Sequence, residues 1–102
     1  MEPHQLSVTE LGLAFRSLEL SPVEAVADVL TRIGAVNPGV NAFVTLTDDL
    51  AMDSARSAEK AFLRREPESL SPLTGVPVTI KDLLPTAGIR TTFGSYAFED
   101  HV

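Results

Sequence analysis

Residues 75–95, GVPVTIKDLLPTAGIRTTFGS, constrain this chain more than any other stretch. Val76-Pro77-Val78-Thr79-Ile80 is a short run rich in β-branched residues, the composition of a buried strand. Gly75 marks the turn into it, and Pro77 fits only a strand start or a sheet edge. The run ends on Lys81-Asp82. The end of an apolar strand is where α/β proteins place their chemistry. Pro85 and Gly88 then break the chain. The return segment is rich in Gly, Thr and Ser, so its amides and hydroxyls can approach a site closely.

Upstream, the sequence spells out helices. Ser7 with Glu10 forms a capping box, and Leu11, Ala14, Phe15 and Leu18 follow at helical spacing, giving a helix that ends near Glu19. Ser21-Pro22-Val23-Glu24 is a second start signal, with the face Val23, Val26, Ala27, Leu30 and Ile33. Asn37-Pro38-Gly39 is expected to stop it. Asn41 to Leu46 reads as a short strand or extended segment. Thr47 or Asp48 caps a third helix running to about Arg65, with acidic residues at its start and basic ones at its end. Its face of Ala51, Ala55, Ala58 and Phe62 lets another element pack closely. Glu66 to Ser71 is a polar surface loop. Phe93 to Phe98 is a short strand or a turn. Three apolar-faced helices are thus set against one or two strands, and a lone hairpin is marginal in water.

The net charge of −6 argues against a phosphate-gripping nucleic-acid surface. Zero cysteines exclude disulfides and thiolate metal sites and fit a reducing compartment. His4 and His101 stand at opposite ends with no carboxylate cluster at ligand spacing, so no metal is expected. No phosphate loop or dinucleotide fingerprint is present. The first ten residues carry no secretory signal, and no apolar run approaches the length of a membrane span.

Two lysines occur, Lys60 on the polar face of the third helix and Lys81. A lysine at the end of a buried run is costly unless paired. One reading is a strand-end lysine that pairs with a carboxylate or caps carbonyls. The other is a general base: an ordinary lysine pKa near about 10.4 is too high for this at neutral pH, and desolvation lowers it. Asp82 is read as a capping or turn residue in preference to a partner that orients Lys81. Thr91, Thr92, Gly94 and Ser95 either line a site or form a tight turn with their hydroxyls satisfied locally.

Gly75, Val76, Pro77, Lys81, Asp82, Gly88, Thr91, Thr92, Gly94 and Ser95 together resemble the first conserved block of the amidase signature family. The resemblance implies an α/β fold, a mixed sheet flanked by helices, of which residues 1–102 form the N-terminal portion of one domain. It implies that Lys81 is catalytic, acting with two serines, one of them in a cis peptide, to hydrolyse a small carboxylic amide without cofactor. Both serines belong to a Gly/Ser-rich block that these residues do not contain. Ser54, Ser57, Ser69, Ser71 and Ser95 stand in other contexts. The chain alone is therefore expected to be inert. Two branches of the family fit, the general amidases and the A-subunit of the tRNA-dependent amidotransferases, which hydrolyses glutamine. Leu83-Leu84 favours the first. A non-catalytic interaction module is the third reading. A cytoplasmic location, no membrane, no nucleic-acid contact, and a homodimer or an amidotransferase complex complete the expectations.

Overall fold

The computed structural model describes residues 2–64 and 70–102. It contains a 3-10 turn at Pro3–Gln5, helices α1 (Val8–Arg16), α2 (Pro22–Val40) and α3 (Asp48–Leu63), and a second 3-10 turn at Tyr96–Phe98. The chain divides into two compact units. One comprises Met1–Asn41 with Thr47–Pro77, the other Ala42–Leu46 with Val78–Val102.

In the first unit both expected helix starts form, and the expected capping box is present at the first. The Ser7 hydroxyl accepts from the Glu10 amide at 3.1 Å, and the Glu10 carboxylate accepts from the Ser7 amide at 2.9 Å. Helix α1 stops at Arg16, because Leu18 takes a left-handed conformation (φ 63°) and the amides of Glu19 and Leu20 turn back onto the Ala14 carbonyl. At α2, the Ser21 hydroxyl accepts from the Val23 amide at 3.0 Å and donates to Glu59 on α3. One serine therefore caps a helix and joins two.

Helix α2 runs a turn further than expected. Pro38 lies inside it, and the stop comes at Asn41, which is left-handed (φ 51°) and donates its amide to the Asn37 carbonyl at 2.7 Å. Proline removes one backbone bond and crowds the carbonyl four residues back, here that of Gly34. Near a helix end this does not undo the remaining turn. Thr47 is the N-cap of α3, but its side chain makes no capping bond. Asp48 and Asp49 in the first turn and Lys60 in the last complement the helix dipole. The expected end near Arg65 and most of the Glu66–Ser71 loop lie outside the described residues.

The core of this unit is Leu11, Phe15, Ala25 and Phe62, with Leu6, Leu20, Leu70 and Val76 packed on it. The Phe15 and Phe62 rings sit 5.7 Å apart at 45°. Arg16 lies over the Phe62 ring and donates to the carbonyls of Gly12 and Ser71. At the N-terminus, the His4 amide and ring nitrogen both meet one oxygen of Asp28, at 2.8 and 2.7 Å. These bonds, the ring contact first, hold the Asp28 carboxyl below the usual carboxylate range. A depressed carboxylate stabilises the fold above its unfolded pKa and loses that contribution as pH falls through the folded one. The His4 amide is thus expected to be protected from exchange at neutral pH and to lose protection only well into acid. In Asp28→Asn the pH dependence of that protection should vanish.

The expected sheet is not formed. No strand occurs among the described residues, and residues 41–46 and 76–80 join no ladder. Val78 is 73% and Ile80 57% exposed, so the apolar run is not buried. A strand is stabilised by its neighbours, and no second strand pairs with residues 76–80 among the described residues. The one bridge among the described residues, Thr86 with Ile89, closes a tight turn at Gly88 (φ 74°). Residues 93–98 form turns, not a strand. Among the described residues no helix is long and apolar enough to cross a membrane.

Candidate active site

The motif residues from Lys81 to Ser95 all lie in the second unit. Lys81 opens a turn in which its carbonyl accepts from the Leu84 amide at 3.1 Å. The side chain is exposed, and its ammonium makes no hydrogen bond or ion pair with the described residues. This corrects the expectation of a lysine desolvated by a buried run.

Asp82 takes the structural role. One carboxylate oxygen accepts from the Thr92 amide at 2.7 Å, and the other accepts from the Thr92 hydroxyl. The carboxyl is held below the ordinary aspartate range by these bonds, the hydroxyl first, with smaller help from the Gly94 amide and the Arg90 charge. The pair closes the loop from 82 to 92. Thr91 and Thr92 are buried, at 3% and 5% exposure. The Thr92 hydroxyl also accepts from the Gly94 amide at 3.3 Å. Ser95 spends its hydroxyl on the Ala97 amide, capping the second 3-10 turn. Thr92 and Ser95 thus act as turn residues, with their side chains engaged within the chain.

Arg90 escapes the sequence reading. Its guanidinium donates to the Thr45 hydroxyl (3.3 Å), the Glu99 carbonyl (2.8 Å) and the Val44 carbonyl (3.1 Å). It thereby ties the return segment to residues 44–45 and to the C-terminal turn. The available signal is its isolation: Lys81 and Arg90 are the two Lys/Arg residues from 70 to 102. A planar five-donor group amid small residues is suited to stapling carbonyls. Beyond it, the Thr91 amide donates to the His101 carbonyl at 2.7 Å, and the rings of Phe93, Phe98 and His101 pack 5.4–5.9 Å apart. Phe93 is left-handed (φ 54°), a conformation that its surroundings must impose on an aromatic residue. No group of three or more His, Asp or Glu among the described residues is placed to hold a metal ion.

The arrangement is a closed, internally bonded loop that leaves the Lys81 amine without a partner among the described residues, on the motif expected for an amide hydrolase. The amidase family model matches residues 24–102, and the chain belongs to the amidase family. Among curated proteins it is similar to the glutamyl-tRNA(Gln) amidotransferase A-subunit of Geobacter sp. (strain M21), 42% identical over 102 residues, all of this chain and 20% of that protein. The A-subunit of Geotalea daltonii is 41% identical over the same length, 20% of its chain. That of Chloroflexus aggregans is 42% identical over 94 residues, 92% of this chain and 19% of that one. The chain spans about a fifth of the length of these relatives. No solved structure matches it at a significant level.

Proposed function

We propose that this chain supplies the lysine-bearing N-terminal part of an amidase-signature enzyme that hydrolyses a carboxylic amide to acid and ammonia or amine. The observation that carries this reading is the free amine of Lys81 within the ten-position motif, on a loop closed by Asp82 and Thr92. The neutral amine accepts a proton from a bridging serine, which takes one from a nucleophilic serine. The nucleophile attacks the amide carbonyl and forms an acyl-enzyme as the amine leaves, and water then releases the acid. Both serines, and the donors that stabilise the oxyanion, come from residues outside this chain. In this reading residues 76–80 pair into a mixed sheet made with those residues, and burial there desolvates Lys81. Likeness to three amidotransferase A-subunits supports glutamine as the amide and an amidotransferase complex as the assembly. This outweighs the preference for a general amidase that Leu83-Leu84 suggests. A cytoplasmic setting belongs to the same reading and is supported by the cysteine-free composition.

The test is a graft. Residues 1–102 replace the matching stretch of the Geobacter sp. protein, and glutamine hydrolysis is measured in the assembled enzyme. Activity within about tenfold of the parent is expected. A folded but inert graft would overturn the reading. The 102-residue chain alone is expected to release no ammonia from glutamine or from simple amides. Turnover that Lys81→Ala removes would show that the chain is sufficient by itself.

A further inference from the structure

A lysine that must work as a base stands next to an aspartate in the sequence. An adjacent carboxylate favours the charged ammonium, which cannot accept a proton. The structure resolves this conflict by geometry. Both carboxylate oxygens of Asp82 are occupied by Thr92, one by its amide and one by its hydroxyl. Thr92 is buried and in turn receives the Gly94 amide. The neighbouring Arg90 is held by three acceptors, so the backbone at 90–92 is fixed from outside the loop. Lys81, one residue from the carboxylate, forms no ion pair among the described residues.

We infer that Asp82 and Thr92 form a lock that positions Lys81, closing the loop that carries it and withholding the adjacent carboxylate from its amine. The functional meaning of the lock rests on the proposed role of Lys81, but the lock itself is a property of this chain and is testable without catalysis. Thr92 does two jobs at once. Its amide orients the carboxylate, and its hydroxyl occupies the oxygen that would otherwise be free to turn towards Lys81. Serine at 92 preserves both jobs, and valine preserves only the amide. Asparagine at 82 preserves both hydrogen bonds, since its carbonyl accepts from the amide and its NH2 donates to the hydroxyl, but it carries no charge.

The chain offers an internal standard. Its two lysines are Lys81 and Lys60, the latter exposed on α3. Limiting acetic anhydride acylates an amine only in its neutral form: the nitrogen attacks the carbonyl, acetate leaves and a proton goes to solvent. Peptide mass spectrometry of the labelled 102-residue chain then gives the Lys81-to-Lys60 ratio. In Thr92→Val the freed carboxylate pairs with Lys81, and the ratio is expected to fall about two- to fivefold, the range that an exposed ion pair supports. Thr92→Ser and Asp82→Asn should leave the ratio within about 1.3-fold of the parent, inside what the weakest exposed pair would produce. The double variant Thr92→Val with Asp82→Asn should restore it, because the loop is still unlocked but the charge is gone. That rescue separates withholding of the carboxylate from simple loss of structure. A ratio that rises in Asp82→Asn alone would show that the carboxylate already sits on the lysine. An unchanged ratio in Thr92→Val, or no recovery in the double variant, would equally overturn the lock. A failed graft with a successful labelling series would discard the catalytic reading and keep the lock.

Discussion

Lys81→Ala in the grafted enzyme is expected to lower kcat for amide hydrolysis by about 10²–10⁴-fold, the contribution of a positioned general base. KM should change little, because the side chain is assigned to proton transfer and not to holding the amide. Lys81→Arg should be as damaging, since a guanidinium stays charged and cannot accept the proton. Neither substitution should disturb folding of the 102-residue chain, in which the Lys81 side chain is exposed and bonds to none of the described residues. Circular dichroism of the variants is the control, and steady-state kinetics on glutamine is the measurement. Retention of more than about a tenth of the parent kcat by the alanine variant would remove Lys81 from the general-base role. Loss of binding with kcat intact would recast it as a substrate contact.

The sequence reveals most where the determinants are local. Ser7 with Glu10, and Ser21 with Pro22 and Glu24, mark helix starts because a cap is settled within four residues. Period alone puts Phe15, Ala55 and Phe62 on apolar faces, and all three are buried. What the sequence misjudges depends on distant partners. The α2 terminus moves because the chain stays helical through Asn37-Pro38-Gly39 and ends at the left-handed Asn41. The strand at 76–80 needs a neighbour, and none pairs with it among the described residues. At the site, the motif locates Lys81 and Asp82, and Asp82 takes a structural role, as the closure of a loop and not as a cap. Its partner ten residues on, and the three acceptors of Arg90, become visible only in the folded chain, since no short-range rule pairs position 82 with 92 or 90 with 44.

The structural counterpart of Lys81→Ala is Gly75→Ala, expected to destabilise the first unit by about 2–5 kcal/mol. Two costs combine. Gly75 has φ +82°, where an L side chain loses about 1–2 kcal/mol. A Cβ there would also lie 2.9 Å from Pro22 Cγ and 3.2 Å from Phe15 Cε2. Phe15 and Pro22 are fully buried, so neither can move without disturbing the core, and overpacking of this kind costs about 1–3 kcal/mol. Two glycines calibrate the result. Gly88 has φ +74° with nothing within 4 Å of an added Cβ, so Gly88→Ala carries the backbone cost alone. Gly34 lies within α2 with open space and no positive φ, so Gly34→Ala should stabilise by about 0.5–1 kcal/mol. Urea titration followed by helical circular dichroism reads Gly34 and Gly75, and amide exchange at Thr91 and Thr92 reads Gly88. In the graft, Gly75→Ala should lose activity in step with its folded fraction, while Lys81→Ala loses activity with its fold intact. A Gly75→Ala chain as stable as the parent would mean that Phe15 and Pro22 yield, and that the contact from Gly75 to the core is not a tight one.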